Sequence, residues 1–174
     1  MATPALADPN FDRAVVLLLD HDDEGSLGVV LNRPTPVTVG DVLASWAGLA
    51  GEPGVVFQGG PVSLDAALGV AVIPGDEGPL GWRRVYGAIG LVDLEAPPEL
   101  LGPALGSLRI FAGYAGWGPG QLESELGDGA WYVVESEPGD VSSPHPETLW
   151  RQVLRRQRGE LAMIATYPDD PSLN

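Results

Sequence analysis

The residues best suited to chemistry lie in the glycine-rich stretch 110–126, which reads IFAGYAGWGPGQLESEL. We expect a strand to enter this stretch, a flexible glycine segment to follow, and a helix to begin near Gln121. A helix N-terminus carries unpaired N–H donors and a partial positive charge, so it favours an anion, and Gln121 and Glu123 would project beside Tyr114. The alternative is that Tyr114 and Trp117 are core rings for which the glycines make room. The residues alone leave both interpretations open.

Two other motifs could complete an anion-binding pocket. Asn32 and Arg33 follow a buried strand, and Arg33 suits a two-point contact with a carboxylate or phosphate, although a salt bridge within the protein is an equal alternative. In FQGGPV, Gly59 and Gly60 could present backbone N–H groups to an anion. A tight turn is the favoured alternative there, because no lysine follows and Pro61 lacks an N–H.

The sequence contains little that is typical of a catalytic centre. The motif HDDEG at 21–25 places a histidine beside three acids, but it is also an ordinary turn sequence, which we favour over a cation site. The serines near His145 lie in one loop without the strand–turn–helix context of a nucleophile. We predict no catalytic residue, no metal site and no cofactor. The alternative is a metal-assisted hydrolase of a small substrate with Glu123 or Asp8 as the base.

Composition excludes several classes of function. The 174 residues include no cysteine, so thiolate catalysis, disulfides and zinc–sulfur sites are ruled out. All nine basic residues are arginine, which removes a P-loop lysine or a Schiff-base lysine. No run of about 20 apolar residues is present, and the first residues do not resemble a secretory signal. We therefore predict a cytoplasmic protein that does not enter a membrane.

The net charge of −15 disfavours direct nucleic-acid binding, because such binding draws on neutralisation of phosphates by basic residues. Four arginines do cluster, at Arg151, Arg155, Arg156 and Arg158. We interpret them as the last turns of a capped surface helix that begins after His145, with a nucleic-acid or partner-protein contact as the alternative.

The order of segments predicts an α+β fold in a single domain, residues 1–174, with a mostly antiparallel sheet that is strongly bent or partly barrel-like and flanked by three or four helices. Segments 14–20 and 26–32 are apolar without alternation, so we expect a hairpin of central strands covered on both faces and joined by a five-residue turn. We expect further strands at 54–58, 66–74, 83–94, from 108, 130–136 and 160–166. Helices are expected at 39–49, 96–106, from 119 and 146–158, and the tail 167–174 should be exposed and mobile.

Three motifs taken in order resemble the YqgE/AlgH family of bacterial proteins: ATPALADPNFDRAVVLLLDHDDEGSLGVVLNRP, then FQGGPV, then FAGYAGWGPGQLESEL followed by AWYVV. The resemblance covers nearly the whole chain and implies a compact α+β domain with a bent, partly barrel-like sheet. Members are often labelled transcriptional regulators, and the resemblance implies no biochemical activity. Family members usually carry residues before the segment that matches ATP, where this chain has Met1. If Met1 is the true start, an exposed edge of the first strand would make a homodimer possible.

We therefore predict a cytoplasmic regulator-type protein that binds a small anion, a peptide or a partner protein and does not read DNA directly. Its binding patch is predicted to comprise Asn32, Arg33, Gly59, Gly60, Tyr114, Gln121 and Glu123.

Overall fold

The computed structural model describes residues 1–170 and residue 172. Its strands are β1 (Val16–Asp22), β2 (Gly25–Val30), β3 (Pro34–Thr38), β4 (Val55–Gln58), β5 (Val62–Val72), β6 (Trp82–Tyr86), β7 (Ile89–Val92) and β8 (Ser107–Trp117). Its α-helices are α1 (Val39–Val42), α2 (Gln121–Gly127), α3 (Pro138–Val141), α4 (Leu149–Arg155) and α5 (Glu160–Ile164), and four short 3₁₀ turns lie between these elements.

β8 is the strand on which the sheet is built. One of its edges pairs antiparallel with β5 along most of its length. The other edge is shared, because β4 pairs parallel with it near Phe111 and β2 pairs antiparallel with it near Ala115. The strand order is β1-β2-β8-β5-β7-β6, with β3 paired to β4 outside this path. This mostly antiparallel, nearly closed sheet confirms the predicted α+β class, with five short α-helices in the described residues in place of the three or four expected.

The predicted hairpin forms, but β1 is an edge strand and not a central one. Its strand pairing extends through Asp22 and Gly25, so the turn has two residues, Asp23 and Glu24, in place of five. Buried and exposed residues alternate along most of β1, and Leu18, an apolar residue, lies on the open side with 40% of its surface exposed. The apolar run at 14–20 therefore gives β1 apolar side chains on its exposed face as well as on its core face.

Two other predicted strands are wrong. Residues 160–166 contain helix α5. Residues 130–136 form no strand, although an isolated antiparallel bridge joins Trp131 to Ala2. Segment 83–94 folds back at Gly87, which has a φ of 55°, and so belongs to two strands, β6 and β7. None of the helices in the described part of the chain is long and apolar enough to cross a membrane.

The helix predicted from the arginine cluster packs as expected. Leu149, Trp150, Val153 and Leu154 are all buried, and the helix α4 that carries them contacts the largest core cluster. The preceding residue His145 stands at the start of a 3₁₀ turn, without a capping hydrogen bond from its side chain.

Arg109 is a buried cation near the start of β8, and the sequence analysis did not predict a role for it. Its guanidinium donates hydrogen bonds to the carbonyls of Glu52 (2.9 Å) and Ser143 (2.8 Å) and lies 4.2 Å from the ring centroid of Phe57. Burial lowers the pKa of Arg109 to about 10, so the group stays protonated near neutral pH. Arg109 thereby ties two loops to the central strand.

Candidate functional site

Asn32 and Arg33 lie at the end of β2, and their side chains hold the chain segment that leads into β1. The Asn32 amide accepts a hydrogen bond from the Val15 N–H (3.0 Å) and donates one to the Arg13 carbonyl (2.9 Å). The Arg33 guanidinium donates to the carbonyl of Asp12. Both side chains are therefore engaged within the protein.

Gly59 and Gly60 lie where the end of β4 crosses β8, and both are buried. The Gly59 N–H donates to the Ala112 carbonyl (2.9 Å) and so is used within the sheet. A Cβ atom on Gly60 would lie 2.2 Å from the carbonyl carbon and oxygen of Tyr114. These glycines therefore allow the backbone after β4 to approach Tyr114 closely, while the preceding Gln58 N–H donates a hydrogen bond to the Arg33 carbonyl (2.8 Å).

Gln121 and Glu123 lie apart from Asn32 and Arg33, at the start of the seven-residue helix α2. Gln121 accepts a hydrogen bond from the Gly118 N–H (3.0 Å) and donates one to Glu125 (3.1 Å). Glu123 lies against His21 near the tip of the β1–β2 hairpin, with 3.2 Å between Oε1 and Nε2. Among the described residues, no hydrogen bond or ion pair joins this group to Asn32 or Arg33. The seven predicted residues thus form two groups, and a ligand contact at either one stays a prediction.

Glu125 holds the glycine-rich motif together, and the sequence analysis did not predict this role. The one sequence signal was its position four residues after Gln121, a spacing at which side chains on a helix meet. Its Oε2 atom accepts hydrogen bonds from the indole N–H groups of Trp117 (2.9 Å) and Trp131 (2.8 Å). The two indole rings pack edge to face at 5.9 Å between centroids, and Phe11 packs against both. The aromatic core interpretation therefore accounts for Trp117.

Replacement of Glu125 by alanine is expected to lower the free energy of unfolding by about 2–4 kcal/mol, because two buried indole donors lose their acceptor. Glu125→Gln should lower the free energy of unfolding by less, since glutamine keeps one acceptor oxygen. Urea unfolding followed by tryptophan fluorescence measures both values. Equal stability of the alanine variant and the parent protein would contradict this role.

An apolar groove of about 620 Å³ lies between β1 and residues 131–136, and we call it the β1 groove. Its side chains are mostly aliphatic and aromatic, and among them Leu18 and Val133 are exposed by 40% and 79%. The β6 residue Tyr86 also lines the groove, and its hydroxyl lies 3.4 Å from Glu135 Oε2. The groove contains none of the seven predicted binding residues. It is lined by Met1, Val15, Val16, Leu17, Leu18, Leu19, Asp20, His21, Leu31, Val85, Tyr86, Trp117, Leu122, Leu126, Trp131, Tyr132, Val133, Val134, Glu135, Ser136, Asp140 and Val153.

Asp140 lines the groove and is bound on its other side by an arginine. Both of its carboxylate oxygens accept hydrogen bonds from Arg156, at 2.6 Å for Oδ2, and these bonds raise the pKa of Arg156. Asp140 Oδ2 also accepts from the Glu137 N–H (2.9 Å), which caps α3. This pair fixes the segment that forms one wall of the groove.

The acidic residues considered for catalysis have structural contacts. Asp8 Oδ1 accepts a hydrogen bond from the Asn10 N–H (2.8 Å) in an exposed turn. Across residues 1–170 and 172, no group of three histidine, aspartate or glutamate side chains is positioned to hold a metal ion.

The arginine cluster is partly neutralised. Arg151 pairs with Asp169 (2.7 Å), and Arg156 pairs with Asp140, while Arg155 and Arg158 are exposed. The contact to Asp169 also draws part of the predicted mobile tail onto α4 and Arg13.

Comparison with known proteins gives consistent matches. A family model described as AlgH-like matches residues 1–162. A UPF0301 protein of Streptomyces coelicolor is 84% identical over 178 residues, covering 100% of this chain and 92% of the relative. A UPF0301 protein of Thermobifida fusca is 50% identical over 183 residues, with the same coverages.

Two solved structures are similar to the chain. The crystal structure of protein DIP2367 from Corynebacterium diphtheriae has a TM-score of 0.91 at 31% identity, covering 95% of this chain and 88% of that one. The solution structure of the AlgH protein from Pseudomonas aeruginosa has a TM-score of 0.70 at 28% identity, covering 98% and 92%.

Proposed function

The chain belongs to the AlgH-like family, and from this premise we propose that it is a cytoplasmic regulator-type protein that acts by binding a partner polypeptide, without catalysing a reaction or reading DNA bases. The regulator role follows the label that the resembled family often carries. The binding role is argued from the surface of this chain.

The observation that carries the proposal is the β1 groove. Monomeric proteins rarely leave large contiguous apolar surfaces open to water, and such surfaces mark sites of interaction. Here Leu18 and Val133 are exposed on opposite walls of a groove whose floor contains the buried residues Leu17, Leu19 and Leu31. Covering these side chains would remove apolar surface from water, which is the main favourable contribution to most protein associations.

Charge supports a polypeptide partner over DNA. The chain carries a net charge of −15, and two of its four clustered arginines already pair with carboxylates. Few arginine side chains of the cluster are therefore left to neutralise the phosphates of DNA.

We expect the neutral apolar dye Nile red to bind the β1 groove with a saturable rise in fluorescence. Leu18→Asp and Val133→Asp should each weaken this binding by roughly tenfold, because a charge in the apolar groove is costly to desolvate. Both side chains are substantially exposed, so folding should be unaffected. Leu80→Asp is the matched control, since Leu80 is 81% exposed and does not line the groove.

Dye binding that is absent, or that is equal in the groove variants and in Leu80→Asp, would contradict the proposal. The seven-residue patch predicted from the sequence is tested in the same way with small anions. A thermal shift by inorganic phosphate that Arg33→Ala and Tyr114→Phe abolish would support that patch instead.

A further inference from the structure

We propose that Arg13 and Arg151 form a binding site for a phosphate dianion, either free or as the monoester group of a small molecule, and that Asp169 occupies this site when the ligand is absent. We call it the two-arginine site, and it comprises Arg13, Trp150 and Arg151. None of these three residues lines the β1 groove, so the site is separate from the proposed polypeptide site. A bound phosphate would displace residues 168–170 from the arginines.

The two arginines converge on one carboxylate oxygen. Arg151 Nη2 lies 2.7 Å from Asp169 Oδ1, and Arg13 Nη1 lies 3.3 Å from the same atom. Arg13 comes from the segment before β1 and Arg151 from helix α4, so the site exists only in the folded chain. Among the described residues, Asp169 is the one acidic side chain that pairs with either arginine.

Trp150 holds the two guanidinium groups in place. Its ring centroid lies 4.6 Å from Arg13 Cζ and 5.9 Å from Arg151 Cζ. The ring is itself fixed, because Trp150 is buried and its indole N–H donates to the Ala2 carbonyl (2.9 Å). Arg151 Nη1 also donates to the Ala165 carbonyl. The cations are therefore positioned before a ligand arrives, which lowers the cost of binding.

The carboxylate of Asp169 leaves the two-arginine site incomplete. Two positive charges face one negative charge, in a chain whose net charge is −15. Arg13 Nη1 is buried and has no hydrogen-bond partner, so its contact with Asp169 is an ion pair only. A phosphate dianion balances both charges and offers three acceptor oxygens, which can accept from both guanidinium groups at once.

Asp169 is held weakly enough to be displaced. Its side chain is 84% exposed, whereas those of Arg13 and Arg151 are 20% and 25% exposed. Arg13 Nη2 also donates to the Pro168 carbonyl, while Asp170 accepts hydrogen bonds from Ser172, within the same segment. An ion pair with so exposed a partner contributes little to stability, so a ligand of higher charge can compete with it.

Asp169→Asn should tighten the binding of inorganic phosphate at least about fivefold, because the parent protein binds only in the fraction of molecules whose site is open. The side chain is largely exposed, so folding should be unaffected, and a gain of affinity cannot arise from misfolding. Asp170→Asn is the matched control, since it removes the same charge from the next residue, which pairs with neither arginine. Titration followed by the NMR signal of the Trp150 indole N–H measures the affinities.

Two variants that remove a guanidinium test the site from the other side. In the Asp169→Asn protein, Arg13→Gln and Arg151→Gln should each weaken phosphate binding at least about tenfold, because each removes a charged donor. Arg155→Gln is the matched control, because Arg155 is an exposed arginine of the same helix α4. Thermal unfolding checks that every variant is folded.

The chemistry of the ligand is tested with three anions. Acetate carries one charge and should bind Asp169→Asn at least about tenfold more weakly than inorganic phosphate does. Equal binding of acetate and phosphate would overturn the assignment to a dianion. Methyl phosphate that binds as well as inorganic phosphate supports a monoester as the ligand, and binding of inorganic phosphate alone supports the free ion.

Three results would overturn the proposal. Equal phosphate affinity of Asp169→Asn and the parent would show that Asp169 does not compete for the site. Absence of phosphate binding by Asp169→Asn, or binding that both Arg13→Gln and Arg151→Gln leave unchanged, would show that the arginines form no such site. Nile red binding to the β1 groove should be the same in all of these variants, so the two-arginine site can fail while the proposed function stands.

Discussion

Gly60→Ala is expected to lower the free energy of unfolding by at least about 3 kcal/mol or to prevent folding altogether. The added Cβ would lie 2.2 Å from the carbonyl carbon and oxygen of Tyr114 and 2.4 Å from the backbone nitrogen of Ala115. These are backbone atoms of the central strand β8, so no side-chain rotation can relieve the contact. The segment after β4 would have to move away from β8, which breaks the junction on which both halves of the sheet depend.

Urea unfolding monitored by circular dichroism measures this loss, and soluble yield reports it if the variant does not fold. Gly139→Ala is the matched control, because a Cβ at Gly139 meets no atom within 4 Å and the residue lies in helix α3. It should be neutral or slightly stabilising. If the free energy of unfolding of Gly60→Ala were within about 1 kcal/mol of the parent value, the close backbone approach at Gly60 would be wrong.

Asp140→Ala should lower the free energy of unfolding by about 3 kcal/mol, because it breaks a buried, two-point ion pair and leaves Arg156 without its main partner. The Asp140 side chain is only 8% exposed, whereas that of Arg156 is 25% exposed and can recover some hydration. Loss of the helix cap at the Glu137 N–H adds to the effect. The same variant should loosen the wall of the β1 groove and so weaken Nile red binding.

Glu137→Ala separates the buried pair from the exposed one. Glu137 lies 3.5 Å from the same guanidinium, but its side chain is 63% exposed, so its removal should cost less than about 1 kcal/mol. Chemical unfolding of Asp140→Ala, Arg156→Ala and the double variant gives the coupling energy of the pair. A coupling near zero would mean that Asp140 contributes only through the helix cap.

Local sequence patterns correctly predicted the helix and the hairpin whose structure depends on interactions between residues close in the sequence. The aliphatic spacing in α4 predicted its buried face, because one face of a short helix is determined by its own sequence. The apolar β-branched runs on either side of HDDEG predicted the β1–β2 hairpin, because turn and strand preferences act between neighbouring residues. At Gly59 and Gly60 the sequence favoured a tight turn, whereas the structure shows a close approach of the segment after β4 to β8, and the binding of an anion by these glycines stays a prediction.

Segment 130–136 shows why other predictions were wrong. Its composition is that of a strand, and its backbone is flanked by β1, but a strand exists only where a partner supplies hydrogen bonds. Beyond Tyr132 the described chain supplies no backbone–backbone hydrogen bond to this segment. Residues 160–166 became a helix for a related reason, since a short apolar run takes the conformation that its neighbours allow, and here the run packs beside α4.

The amino-acid sequence by itself determined the family, the α+β class, the excluded chemistries and the local elements, since these depend on residue types and on spacings of a few positions. Only the tertiary structure decided that Glu125 joins two indoles, that Asp140 meets Arg156, and that β1 and residues 131–136 enclose an apolar groove. Each of these features brings together side chains or backbones from separate elements. Their contact is set by how the strands cross and bend around β8, which no local pattern encodes.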